Sequence, residues 1–199
     1  FYGFNRGMAP FDDLRIRKAF SLAIDRQSLV DSVLNGLAVP ARGVVAPGFT
    51  GYPYDPEPLL AYDPKQARLL LAEAGHPDGA GLPNVYLQVN SDGFGYVRVA
   101  EAVQEMLTRN LGVRVITSVL PSGQHFERVE MGRAQFWREG WIVDHPDPEN
   151  FLALFYGKSV PSDTSEPSYL NSTRYRNARY DSLFARALRT SQVAERMSL

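Results

Sequence analysis

The sequence predicts an α/β protein built on a mixed, mostly parallel sheet flanked by helices. Two observations carry that expectation. From residue 63 onward, segments with apolar residues spaced three or four apart alternate with short segments in which every second residue is apolar. That alternation is the mark of strands joined by crossover helices. The segments are also punctuated by the residues that physically start and stop helices: Asp-Pro at beginnings, Gly at ends.

Phe1 to Asn5 is short and aromatic and reads as a strand. After Pro10, Asp12-Asp13 opens a helix on which Ile16, Phe20, Ala23 and Ile24 share a face, with Arg15, Arg17 and Lys18 elsewhere. Asp25-Arg26-Gln27-Ser28 starts a second, short helix with Leu29, Val30, Val33 and Leu34 inward and Gly36 at its end. Residues 37–62 break the pattern. Pro40, Pro47, Pro53, Pro56 and Pro58, with Gly43, Gly48 and Gly51, exclude a helix or long strand. The interleaved Tyr52, Tyr54 and Tyr62 suggest a long ordered loop pinned by its tyrosines.

Asp63-Pro64 then caps a helix lined by Ala67, Leu70, Leu71 and Ala74 and closed by Gly75. Val85, Leu87 and Val89 alternate with Tyr86, Gln88 and Asn90 as a strand. A helix from about Tyr96 to Asn110 turns Val99, Ala100, Val103, Met106 and Leu107 inward, and Gly112 stops it. Val113, Val115, Thr117 and Val119 form the next strand. Pro121-Ser122 starts a helix with Phe126 and Val129 on its core side. A strand is expected over Gln135–Val143, then a helix begun by Asp147-Pro148 with Phe151, Leu152, Leu154 and Phe155 buried. Residues 157–177 are a polar loop. Tyr180, Leu183, Phe184, Ala187 and Leu188 mark a last helix, whose pattern still runs at Leu199 with no stop signal; this reads as a cut helix in a longer chain. The 199 residues are expected to form a single lobe.

Composition narrows the function. A hydrophobic share of 44% and a charged share of 22% support a packed core rather than disorder. A net charge of −1 argues against a protein that neutralises nucleic-acid phosphates. No apolar run is long enough to span a bilayer, and the start carries no signal peptide; Phe1 is not an initiator Met and reads as a processed or cut boundary. With no cysteine, thiolate chemistry and disulfides are excluded. No phosphate loop, dinucleotide fingerprint or Gly-x-Ser-x-Gly motif is present, and no cofactor is expected.

The chemistry concentrates in 138–148. Both tryptophans of the chain, Trp137 and Trp141, lie at this strand. Asp144 and His145 fall where the chain must leave the sheet, and ligands in open α/β folds bind outside the carboxyl ends of strands. Asp144, His145, Asp147 and Glu149 could in principle serve a hydrolase or a metal. Asp147 as a helix cap and Glu149 in the first helical turn have structural uses instead, and neighbours such as Asp144 and His145 point apart in extended chain. What Asp144 can do without catalysis is bind a cation. Trp141 can wall a pocket, and Arg138 offers a fork for a carboxylate. Positions 138 and 144 share a face of a strand. One cation-binding and one carboxylate-binding side chain suit a zwitterion such as a peptide; the plain alternative is a structural Asp–Arg ion pair. His76 and His125 are expected to be solvated or structural. The arginines 174, 176, 179, 186, 189 and 196 are expected on a solvated face.

The order of features resembles the family 5 extracytoplasmic solute-binding proteins of ABC transporters for di- and oligopeptides. The resemblance covers nearly the whole chain. It rests on Asn5, Pro10-Phe11-Asp12-Asp13, Arg15-Ile16-Arg17-Lys18-Ala19, Ala23-Ile24-Asp25-Arg26, Tyr62-Asp63-Pro64 and Leu70-Leu71-Ala72-Glu73-Ala74-Gly75. Further along it rests on Gln104, Leu107 and Leu111-Gly112-Val113, then on Gly140-Trp141, Asp144 and Asp147-Pro148, its most specific piece, and finally on Asn177 and Tyr180-Asp181. The resemblance implies a type II periplasmic-binding-protein-like lobe: the continuous one of a two-lobed protein that closes on its ligand. It implies that Asp144 pairs with a peptide's α-ammonium group, that Trp141 lines the pocket and that Arg138 contacts the ligand carboxylate. His145 stands where family members often have Tyr, so a sugar or metal chelate stays open as ligand. The implied partners are ABC permease subunits. The implied setting is the periplasm or outer face of the cytoplasmic membrane, with any lipid anchor outside this stretch and the protein a monomer. The isolated lobe is expected to bind peptide weakly or not at all, because half the contacts and the closure are missing.

Overall fold

A computed structural model describes residues 1–54, 60–93 and 95–199. Its centre is a four-stranded sheet in the order β1-β4-β2-β3. Strand β2 (Val85–Asn90) runs parallel to β3 (Val115–Leu120) on one side and to β4 (Phe136–Arg138) on the other. Strand β1 (Tyr2–Phe4) closes the edge antiparallel to β4, with Gly3 opposite Trp137. The sheet is therefore mixed and mostly parallel, as the alternating pattern requires.

The helices begin where the sequence places caps. Asp13 accepts the amide of Arg15 and starts α1 (Leu14–Leu22). Asp25 caps α2 (Arg26–Ser28), which widens into a π turn over Leu29–Val33 and stops at Gly36. Asp63 accepts the amides of Lys65 and Gln66 at the start of α3 (Pro64–Glu73). Helix α4 (Tyr96–Leu111) joins β2 to β3, and α5 (Ser122–Glu130) joins β3 to β4. After β4 come α6 (Glu149–Leu152), two short 3-10 turns, α7 (Ala178–Ala187) and α8 (Val193–Met197). The helical signal over the last twenty residues is thus two helices rather than one.

At one turn the backbone itself sets the residue type. Gly112, with φ +67°, ends α4 against the 3-10 turn Pro77–Gly79; a Cβ there would stand 2.3 Å from the carbonyl oxygen of Asp78. Positive φ and close approach both demand glycine.

The core lies between one sheet face and α1, α3 and α4. Val85, Leu87 and Val89 of β2 are wholly buried there with Ala100, Val103 and Leu107 of α4. Aromatics fill the β1–β4 end. Phe136 stacks on Phe4 at 4.8 Å between ring centres and meets Phe20 edge-on at 6.3 Å, and Phe11 stacks on Phe4 at 4.5 Å. On the other sheet face Trp137 packs with Val129 and Ala134. The long segment after Gly36 carries no helix or strand among its described residues. Tyr54 donates to the Ala46 carbonyl and accepts from the Phe49 amide, and Tyr62 accepts from Asn110. The expected tyrosine pinning holds there; Pro56 and Pro58 lie outside the described residues.

Candidate functional site

Strand β4 is shorter than its apolar run. It ends at Arg138, where its ladder pairing runs out: β1 pairs no further than Tyr2 opposite Arg138, and β2, which continues to Asn90 beside β3, pairs with β4 only as far as Gln88 opposite Trp137. Backbone without a ladder partner turns to other hydrogen bonds. Glu139 makes one last amide bond to the Phe1 carbonyl, and the chain then leaves the sheet at its carboxyl edge. Ile142 is 87% exposed and Val143 37%. The expected strand through Val143 is therefore a loop over 139–148, and the same-face argument linking positions 138 and 144 does not hold.

Arg138 points toward the start of α4. Its guanidinium lies 3.4 Å from the ring centre of Tyr96, and Nη1 donates to Asn90 Oδ1 at 3.3 Å. Asp144 is exposed and has no hydrogen bond or ion pair among the described residues. The Asp–Arg ion pair that was the plain alternative is absent from the described residues, and each group has its charge available. Trp141 is half-buried, with its indole Nε1 donating to Asn150 Oδ1 at 2.6 Å. His145 is exposed, its Nδ1 3.2 Å from Asn150 Nδ2.

The two other carboxylates of the loop are engaged. Asp147 accepts the Glu149 amide at 2.8 Å and so caps the helix as expected, though α6 itself starts one residue later, at Glu149. Arg196 of α8 reaches Asp147 at 2.6 Å and Glu149 at 3.4 Å. No hydrogen bond joins Asp144 to His145, and among the described residues no group of three or more His, Asp or Glu could hold a metal ion. What the arrangement offers is one free carboxylate three residues after a half-buried indole, with a guanidinium at the end of the adjoining strand.

Arg138 is itself held from behind. His125, wholly buried, donates from Nε2 to the Arg138 carbonyl at 2.9 Å. Its Nδ1 then accepts from Gln88 Nε2 at 3.1 Å, and Gln88 Oε1 accepts from Arg128 Nε at 2.9 Å. Burial lowers the imidazole pKa from 6.5; the Arg138 charge adds to this, and the bond to the Arg138 carbonyl opposes it. The consequence has a definite sign. Below about pH 6.5 the unfolded chain takes up a proton that folded His125 refuses, so stability falls with pH until the folded imidazole titrates. Urea midpoints at pH 7.5 and 5.5 should drop more for wild type than for His125→Gln. An equal drop in both would show that His125 is not the group.

Three site-supporting residues escaped the sequence reading. His125 lies one turn before Val129, and that spacing, rather than the neighbouring Phe126, marks the inward face. Asn150 and Arg196 act across the loop and from a later helix, so no local pattern marks them. Of the C-terminal arginines, 176, 179, 186 and 189 are exposed as expected, while Arg174 and Arg196 are partly buried, and several of the six are bonded. Arg174 donates to the carbonyls of Glu130 and Glu166, and Arg176 to those of Val160 and Pro161, which ties the polar loop down. Arg186 pairs with Glu195.

With this geometry in hand, similarity to known proteins is informative. Residues 1–163 match the model of the bacterial extracellular solute-binding proteins, family 5 Middle. The chain is 35% identical over 163 residues to the oligopeptide-binding protein OppA of Bacillus subtilis, covering 79% of this chain and 30% of that protein. A periplasmic oligopeptide-binding protein of Borrelia burgdorferi superposes with a TM-score of 0.86 at 31% identity, over 100% of this chain and 37% of the other. The binding protein DppA of Helicobacter pylori, solved with the peptide STSA, gives a TM-score of 0.87 at 26% identity over 99% of this chain and 36% of its own. The chain thus spans about a third of the length of these relatives, and its fold is that of the type II periplasmic binding proteins. Model, relatives and superpositions agree, and the chain belongs to the bacterial extracellular solute-binding proteins of family 5.

Proposed function

We propose that this chain is one lobe of a longer, two-lobed protein, the substrate-binding component of an ABC peptide importer. It captures di- and oligopeptides in the cleft between the lobes and delivers them to the permease from the periplasmic or outer face of the membrane. The observation that carries the reading is Asp144: an exposed carboxylate with no partner among the described residues, on the loop leaving the carboxyl edge of the sheet. Relatives named for oligopeptide binding, and a neighbour solved with a bound peptide, support it.

In this reading Asp144 receives the peptide's α-ammonium group, Trp141 walls the pocket beside it, His145 contacts the ligand from the next position, and Arg138 reaches toward a ligand carboxylate. In open water an ion pair at 4 Å contributes only about 1 kcal/mol; at a partly dehydrated site the same pair contributes about 4 kcal/mol. Closure of a second lobe supplies that dehydration, so the lobe alone is a weak binder and the whole protein a strong one. The protein works as a monomer, and attachment to the membrane comes from a lipid anchor or the permease outside this stretch.

Calorimetric titration of the full-length protein with a pool of di- to pentapeptides tests the reading. Saturable binding, with every peptide recovered chemically intact, is expected. Absence of binding to all peptides, or recovery of cleaved products, would overturn it.

A further inference from the structure

The loop 139–148 is bridged by one side chain that orients its neighbours. An indole N–H can only donate a hydrogen bond. Because Trp141 Nε1 lies 2.6 Å from Asn150 Oδ1, the oxygen of that amide faces the indole and its NH2 faces the other way. The NH2 lies 3.2 Å from His145 Nδ1. An amide NH2 has no lone pair to offer, so Nδ1 must accept, and the imidazole proton must sit on Nε2. Asn150 itself is only 6% exposed, at the start of α6, while His145 and Asp144 face outward.

We infer that Asn150 is a positioning residue of the site: it fixes Trp141 and His145 across the loop and makes His145 present an N–H donor, beside Asp144, to the ligand. The role of that donor rests on the peptide-binding reading above. A carboxylate that takes a cation, followed by an N–H that seeks an acceptor, fits an ammonium group with a carbonyl oxygen close by, the chemistry of a peptide's first residue. It does not fit a metal ion. A metal needs an imidazole lone pair; Nδ1 uses its own on Asn150, and freeing Nε2 would drive a proton onto Nδ1 against the amide NH2. The charged groups on and around the loop are Glu139, which accepts from Trp137 and Ser172, Asp144 and Asp147 on the loop itself, Arg138 at the end of β4, Glu149 on α6 and Arg196 on α8; Arg196 binds both Asp147 and Glu149.

The test needs no ligand and uses this chain. Long-range nitrogen–proton NMR correlations distinguish imidazole tautomers, and His145→Gln assigns the signal among the three histidines. Wild type with its imidazoles neutral should show the His145 proton on Nε2. In Asn150→Asp the carboxylate still accepts from Trp141 but now requires a donor from His145, so the proton should move to Nδ1. In Asn150→Leu the Trp141 indole N–H should exchange with water faster, while the other indole, Trp137 on Glu139, is unchanged. Equimolar zinc chloride should leave the wild-type His145 shifts in place. A wild-type proton on Nδ1, identical His145 spectra in wild type and Asn150→Asp, or a zinc-dependent shift would each overturn the inference. None of these readouts depends on peptide binding, so its failure is separable from failure of the peptide reading, which the titration decides.

Discussion

Asp144→Ala in the full-length protein is expected to abolish most peptide affinity, with a loss on the order of 10²- to 10⁴-fold. The magnitude follows from what remains after the substitution: an ammonium group enclosed between two lobes with no counterion, a situation that costs about 3–5 kcal/mol. Asp144→Asn should lose nearly as much, because it keeps the size and an acceptor oxygen but not the charge. Fold stability provides the control. Asp144 is exposed and touches no partner among the described residues, so thermal unfolding of the 199-residue chain should change by no more than about 0.5 kcal/mol. Affinity kept within threefold of wild type would remove Asp144 from the site. A large loss of stability would make it a structural residue instead.

Phe136→Ala should be the most damaging single change to the fold. The ring is wholly buried and meets Phe4, Phe11, Phe20 and Tyr2. Its removal forfeits burial and leaves a hole bounded by rings that collapse poorly, at a cost of about 3–5 kcal/mol. In a chain of this length that corresponds to a fall of roughly 10 °C in Tm. Phe136→Leu keeps most of the volume but not the stacking with Phe4, and should cost about 1.5 kcal/mol. Circular dichroism melts of the three proteins decide the matter; equal melting of the Ala and Leu variants would show that the cluster repacks. The position also matters to the site, since β4 is only Phe136–Arg138 and loosening its first residue loosens Arg138.

The frame of this fold is readable from local chemistry because its elements are locally determined. Asp13, Asp25 and Asp63 cap helices at the positions where their sequence contexts place them. Val85, Leu87 and Val89 alternate because one face of β2 is core. The reading failed where a distant neighbour decides. Gln88 and Asn90 look like an outward strand face, yet they are buried beneath α5 by contacts 30 or more residues away. Trp141, Ile142 and Val143 look like strand, but a strand needs partners, and β1 and β2 have ended by then. The place of Asp144, at a strand exit next to a helix start, was legible; that its carboxylate has no partner among the described residues was not, since an ion pair with Arg138 fitted the sequence equally. The bonds that orient its neighbours were not, since Asn150 joins residues across a turn and His125 reaches Arg138 through another element.

Arg196 bears on where this unit can be divided. Similarity to the family model stops at residue 163, yet α7 and α8 reach back: Tyr180 to the Leu152 carbonyl, Asp181 to the Gly157 amide, Arg196 to Asp147 and Glu149. A chain shortened to residue 163 would leave Asp147 and Glu149 without Arg196, within six positions of an Asp144 that has no cation of its own among the described residues. Their mutual repulsion would open the turn, and the pull on an incoming ammonium would be spread over three groups instead of focused on one. The edge of the family model's match and the edge of the working charge pattern are thus different places in this molecule.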